Sequence, residues 1–145
     1  MIPKKILLCV DFSRYSERAS EVAADYAKNF GASLLVLNVV NTRFFSHPAI
    51  MDSPAYGRAF DEAQQIAQKK LMEVADNIKK KVPDLKSFSR TGVPGEEIIK
   101  LAAEQSVDLI IVGTMGRTGV SRLLLGSAAE TVIKSASCDV LTVRA

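Results

Sequence analysis

DLIIVGTMGRTGVSRLLLGS, residues Asp108–Ser127, decides the fold. Its first six residues are an apolar run with β-branched side chains, bounded by Asp108 and Gly113, the pattern of a short buried strand. Its last two, Gly126-Ser127, open a helix predicted over Ser127–Ser135. Between them lie Gly113, two residues, Gly116 and nine more before Gly126. Strand, glycine-rich turn and helix in this order form half of a βαβ unit, so the rest of the chain is read for its partners.

Upstream, Lys4–Val10 (KKILLCV) and Ser33–Val40 (SLLVLNVV) are two more buried strands. From Ser13 to Phe30 the apolar positions Ala19, Val22, Ala23, Tyr26, Ala27 and Phe30 keep the spacing of one helix face, and Gly31 supplies the stop. Asn41–Pro54 carries turn residues and two prolines and is expected to be a loop. Phe60, Ala63, Ala67, Leu71, Val74 and Ile78 mark a long helix that Pro83 prevents from continuing. Leu85–Thr91 is polar enough to be an edge strand, and it is inferred mainly from its position. Pro94 begins a helix striped by Ile98, Ile99, Ala102 and Ala103. Val140–Arg144 (VLTVR) is the last strand.

Strands alternating with helices imply right-handed crossovers and one open, doubly wound parallel α/β sheet with helices on both faces. Ligands of such sheets bind beyond the carboxyl ends of the strands. That rule selects Asp11, Val39-Val40, Thr91-Gly92 and Gly113-Thr114 as the floor of a site.

The loop chemistry suits phosphate. Glycine permits close backbone approach, and a helix N-terminus offers unsatisfied N–H groups with partial positive charge. Arg117 and Arg122 would add charge. Two readings need no ligand: glycines at a strand end form turns, and Ser127 with Glu130 spells a capping box. The segment is neither a Walker sequence nor a strand-end dinucleotide fingerprint.

Composition bounds the remaining classes. The chain has 145 residues, the length of one domain, with no linker or repeat, and its net charge is only +3. The basic run Lys79-Lys80-Lys81 closes a helix, and no basic stripe interleaved with aromatics points to nucleic acid. The apolar run Ile6–Val10 is too short to span a membrane or serve as a leader. Two cysteines and no leader are expected of a cytoplasmic protein, and Cys9 and Cys138 are placed at opposite sheet edges, too far apart to pair. The single histidine, His47, is read as a solvated loop residue, and no metal-ligand spacing appears. Ser13 lacks a histidine to activate it.

The spacing of Gly113, Gly116, Gly126 and Ser127 resembles the ATP-binding signature of the universal stress protein family. The likeness extends over nearly the whole chain, through KKILLCVDFS, LLVLNVV, GVPGEEIIKLA and SASCDVLTVR. It implies a Rossmann-like, five-stranded sheet in order 3-2-1-4-5, in which residues 1–145 form one domain. It implies that Asp11 contacts the ribose and the backbone of Val39 the adenine. Gly113, Gly116, Gly126, Ser127 and Ala128 would contact the phosphates of ATP or AMP, with Mg as a companion ion, and Thr114 and Arg117 belong to the same loop. A homodimer through Val140–Arg144 and a stress-responsive regulatory role, with a protein partner downstream, are implied too. Asn38 stands where a histidine is common, Met115 where histidine or arginine is common, and Asp139 where proline is frequent. Rival readings are a slow ATPase or related nucleotide-hydrolysing enzyme, and a dimeric interaction protein with an empty loop.

Overall fold

Lys5–Cys9 (β1) alternates its side chains between two cores. Ile6, Leu8 and Val10 face one side of the sheet, and Leu7 and Cys9 the other. β2 (Ser33–Asn41) repeats this with Leu34 and Val36 against Leu35 and Leu37. Strands covered on both faces need apolar residues throughout, which is why these runs are continuous rather than alternating. The computed structural model describes residues 2–45, 51–115 and 125–145.

The remaining elements are α1 (Arg14–Phe30), a 3-10 turn at Thr42–Phe45, α2 (Pro54–Lys79), β3 (Leu85–Gly92), α3 (Pro94–Glu104), β4 (Leu109–Gly113), α4 (Ser127–Ser135) and β5 (Asp139–Val143). All strand pairs are parallel, in the order β3-β2-β1-β4-β5. The winding therefore reverses at β1, between β2 and β4. Helices α1 and α2 cover one face through Ala19, Ala23, Ala27, Leu71, Ala75 and Ile78. Helices α3 and α4 cover the other through Ile98, Leu101, Ala102, Ala129 and Val132.

Caps fix the helix ends. The Ser13 hydroxyl oxygen accepts from the Ser16 amide at 3.2 Å, and Gly31 takes the left-handed conformation (φ 67°) that ends α1. The expected loop Asn41–Pro54 is shorter than the sequence suggested. Asn41 still belongs to β2, and Pro54 is already helical. Ser53 caps α2 by accepting from the Ala55 amide, and proline at the first helical position gives up an N–H that has no partner there anyway. His47 and Pro48 lie outside the described residues. Cys9 and Cys138 are both free thiols. Cys9 ends β1 and Cys138 precedes β5, so they sit at opposite edges; burial pushes the Cys9 thiol well above its ordinary range.

Candidate functional site

The turn after β1 is held from three sides. The Val10 amide donates to the Leu37 carbonyl at 2.9 Å, and the Asn38 side-chain amide donates to the Val10 carbonyl at 2.8 Å. The Ser13 amide donates to Asp11 Oδ1 at 3.0 Å, which leaves Oδ2 with no partner among the described residues. Asp11 is therefore not the cap of α1, since Ser13 does that work. Between them Phe12 adopts φ 65°, a left-handed conformation that costs a residue with a Cβ about 1–2 kcal/mol. Asn38 is 4% exposed, and its Oδ1 is the one buried side-chain polar atom without a partner among the described residues.

Opposite this turn, β4 runs into the glycine segment. The Thr114 amide donates to the Val143 carbonyl at 2.9 Å, and the Thr114 carbonyl accepts from the Gly126 amide at 2.7 Å. That bond closes the base of the loop and sets the start of α4. The capping box does not form. Gly126, not Ser127, is the N-cap, and no side chain caps α4. Glu130 pairs with Lys134 at 2.6 Å instead, which holds its carboxyl below the usual range. The amides of Ser127 and Ala128 are thus left with no partner among the described residues, at the positive end of the helix. Gly116, Arg117 and Arg122 lie outside the described residues.

Gly113 has a different reason for being glycine than the sequence suggested. A Cβ there would stand 2.8 Å from the Tyr15 Cβ and 3.0 Å from the Tyr15 backbone carbon. The missing side chain lets the first turn of α1 lie on the end of β4, so it serves packing before any ligand. The same contact draws the Asp11 turn toward Thr114. Met115 is buried and offers no polar contact.

Val39 enters through its peptide groups. Along β2 the Ser33 amide and the Leu37 carbonyl bond to the β1 side, whereas the Leu34 amide bonds to Asp84 on the β3 side. Peptide groups alternate along a strand, so those of Val39 point to the β1 side, where the pairing of β1 has already ended at Cys9 opposite Leu37. Both a donor and an acceptor thus face the crevice beyond β1. Arg90 pairs with Val39 in register, but its guanidinium is engaged by Glu97 at 3.5 Å and by Glu104. Asp108 and Asp139 lie at the other sheet edge, where Asp108 Oδ2 accepts from the Lys4 and Lys5 amides at 2.9 Å. Among the described residues no three metal-ligating side chains gather, and no helix is long and apolar enough to cross a membrane.

Asp11, Val39, Thr114, Gly126, Ser127 and Ala128 are therefore brought to one edge, around the point where the winding reverses. Sequence reading missed Phe12, since Asp-Phe-Ser carries no glycine to announce a left-handed turn. It also missed Tyr15 as the neighbour of Gly113.

Compared with known proteins, residues 3–144 match the model of the universal stress protein family. The chain belongs to that family. This universal stress protein is 37% identical to the Methanocaldococcus jannaschii universal stress protein MJ0531, over 97% of the chain and 82% of the relative. Its backbone is similar to that of the UspA of Lactobacillus plantarum, with a TM-score of 0.86, 26% identity and 97% of each chain covered. A universal stress protein solved in complex with cAMP matches with a TM-score of 0.71 and 25% identity, over 99% of this chain and 98% of that one.

Proposed function

We propose that this universal stress protein binds an adenine nucleotide, ATP or AMP, as a regulatory module of a stress response in the cytoplasm. One observation carries the reading: the uncapped N-terminus of α4, fixed by the Gly126–Thr114 bond, lies at the edge where the Asp11 turn and the Val39 peptide groups also open. Phosphate oxygens suit the amides of Ser127 and Ala128, together with Gly116 and Arg117 of the same loop. The ribose hydroxyls suit the unpartnered oxygen of Asp11. An adenine edge, which presents both a donor and an acceptor, suits the peptide groups of Val39. The relative solved with cAMP supports an adenine ligand. Mg, where it accompanies ATP, would be held chiefly by phosphate oxygens and water.

Each hydrogen bond to a charged group contributes roughly 1.5–3 kcal/mol. Four of them approach the ~8 kcal/mol of a micromolar complex after ordering costs, with no catalytic group required. Mass spectrometry of the small molecules released on denaturing the purified protein, followed by calorimetric titration with ATP and AMP, tests the reading. Micromolar binding of either nucleotide is expected. Absence of binding up to millimolar concentration would refute it. The exposed edge of β5 supports a homodimer through Val140–Arg144 as the assembly.

A further inference from the structure

We propose that Phe12 is the positioning residue for Asp11: its left-handed backbone, held by its ring, fixes the carboxylate that faces the nucleotide crevice. The ligand half of this inference rests on the nucleotide reading above; the half concerning the turn does not. Among the described residues only Phe12 and Ser106 combine a side chain with a positive φ. Ser106 lies just past the C-terminus of α3, where such a conformation is common. Phe12 stands between a strand and a helix start, where no helix end calls for it, and a phenylalanine is a poor choice for it.

What holds it there is visible around it. The ring is partly buried against the core formed by β1, β2, α1 and α2. The Lys70 ammonium of α2 stands 5.6 Å from the ring centroid, within reach of its negative face. On the preceding side, Asn38 ties down the Val10 carbonyl. With Phe12 in this conformation the Ser13 amide meets Asp11 Oδ1 and leaves Oδ2 over. A Phe12 relaxed to an ordinary backbone would redirect the peptide that follows it, and the Asp11–Ser13 bond would open. Packing of the ring is thereby converted into a fixed orientation of the carboxylate.

Two substitutions separate this role from plain core packing. Phe12→Ala removes the ring but keeps the cost of the left-handed backbone; Phe12→Gly removes the ring and the cost together. Exchange of the Ser13 amide, followed by NMR without ligand and referenced to the Ile111 amide in β4, should accelerate about tenfold in Phe12→Ala, the left-handed penalty read as a population. Phe12→Gly should lie nearer to wild type. In calorimetry ATP should weaken by about the same factor in Phe12→Ala and recover in Phe12→Gly, with tripolyphosphate binding all three proteins alike. Equal acceleration in the two variants would mean that the ring only packs, and overturns the proposal. So would unchanged exchange in both, or equal losses of ATP and tripolyphosphate. A wild-type protein that binds no ATP would refute the nucleotide reading instead, and the exchange comparison would still decide whether Phe12 holds the turn.

Discussion

Gly113 and Gly126 flank the same loop, the first held to glycine by packing and the second by the proposed phosphate contact. At Gly113 a Cβ would collide with the Tyr15 Cβ and crowd the Tyr15 backbone, neither of which can swing away as the end of a long side chain can. Gly113→Ala should therefore destabilise the fold by about 1–3 kcal/mol, the usual cost of overpacking, read as a lower midpoint in urea unfolding. Gly126 has φ −64° and ψ 154°, ordinary values for any residue, so Gly126→Val should cost no more than the roughly 0.5–2 kcal/mol of a poorer N-cap and leave the protein folded. Its branched side chain would stand where phosphates approach α4, and ATP affinity should fall at least tenfold by calorimetry. Intact affinity in a folded Gly126→Val protein would remove the phosphates from this helix end. Asp11→Ala separates the two halves of the ligand. Adenosine nucleotides should weaken, whereas tripolyphosphate should bind variant and wild type alike, because the proposed place of Asp11 is at the sugar. Equal losses for both would reassign Asp11 to the phosphates.

Among the elements, α3 and α4 meet where Gly95 lies against Thr131. A Cβ at Gly95 would stand 2.6 Å from the Thr131 Cβ. Gly95→Ala must push the two helices apart, and α4 carries the proposed phosphate end. A stability loss of about 1–3 kcal/mol in urea is expected, together with weaker ATP binding; unchanged stability would show that the two helices slide without cost. This contact also marks the limit of what the sequence made legible. β1, β2, β4 and α1 could be read directly, because burial on two faces or on one stripe forces a hydrophobic period. β3 could be placed only by topology: of Leu85–Gly92 just Leu85 is buried, so the pattern that identifies a strand is missing. α2 was read from its first periodic residue, Phe60, although Ser53 and Pro54 start it earlier by capping chemistry that resembles a loop. At the site, topology alone selected Asp11, Val39-Val40, Thr91-Gly92 and Gly113-Thr114, and the glycine spacing added Gly126. The role of Gly113 was hidden, since it depends on Tyr15, which no local pattern links to it. Ser127-x-x-Glu130 misled for a related reason: the hydroxyl is one residue too far into the helix to cap it.

At the scale of the molecule, the distribution of charge at the site edge limits chemistry, and the edge of the sheet suggests assembly. Near the crevice the free oxygen of Asp11 is proposed to take the ribose, and Glu97 faces Arg90, so neither is poised to orient an attacking water. ATP hydrolysis should stay below about one turnover per minute, far under the median enzyme rate of about 10 per second. Faster phosphate release that disappears in Gly126→Val would make the protein an enzyme. The proposed assembly rests on β5. It pairs with β4 on one side only, and the strand order ends there, so one row of its peptide N–H and C=O groups has no strand partner in the protomer. Val140 and Leu141 are half-buried, packed on opposite faces of the sheet, and Ile133 of α4 remains 46% exposed. A two-fold axis beside β5 would pair Val140–Arg144 antiparallel with its own copy, satisfying both rows of backbone groups and covering these side chains. Against pairing stands the charge of Arg144 at the strand end. Thr142→Pro would delete one N–H and stiffen the strand. Light scattering should therefore give twice the protomer mass for wild type and the protomer mass for Thr142→Pro. A wild-type protein that is monomeric at high micromolar concentration would refute the assembly, and a dimer indifferent to the proline would move the interface away from β5.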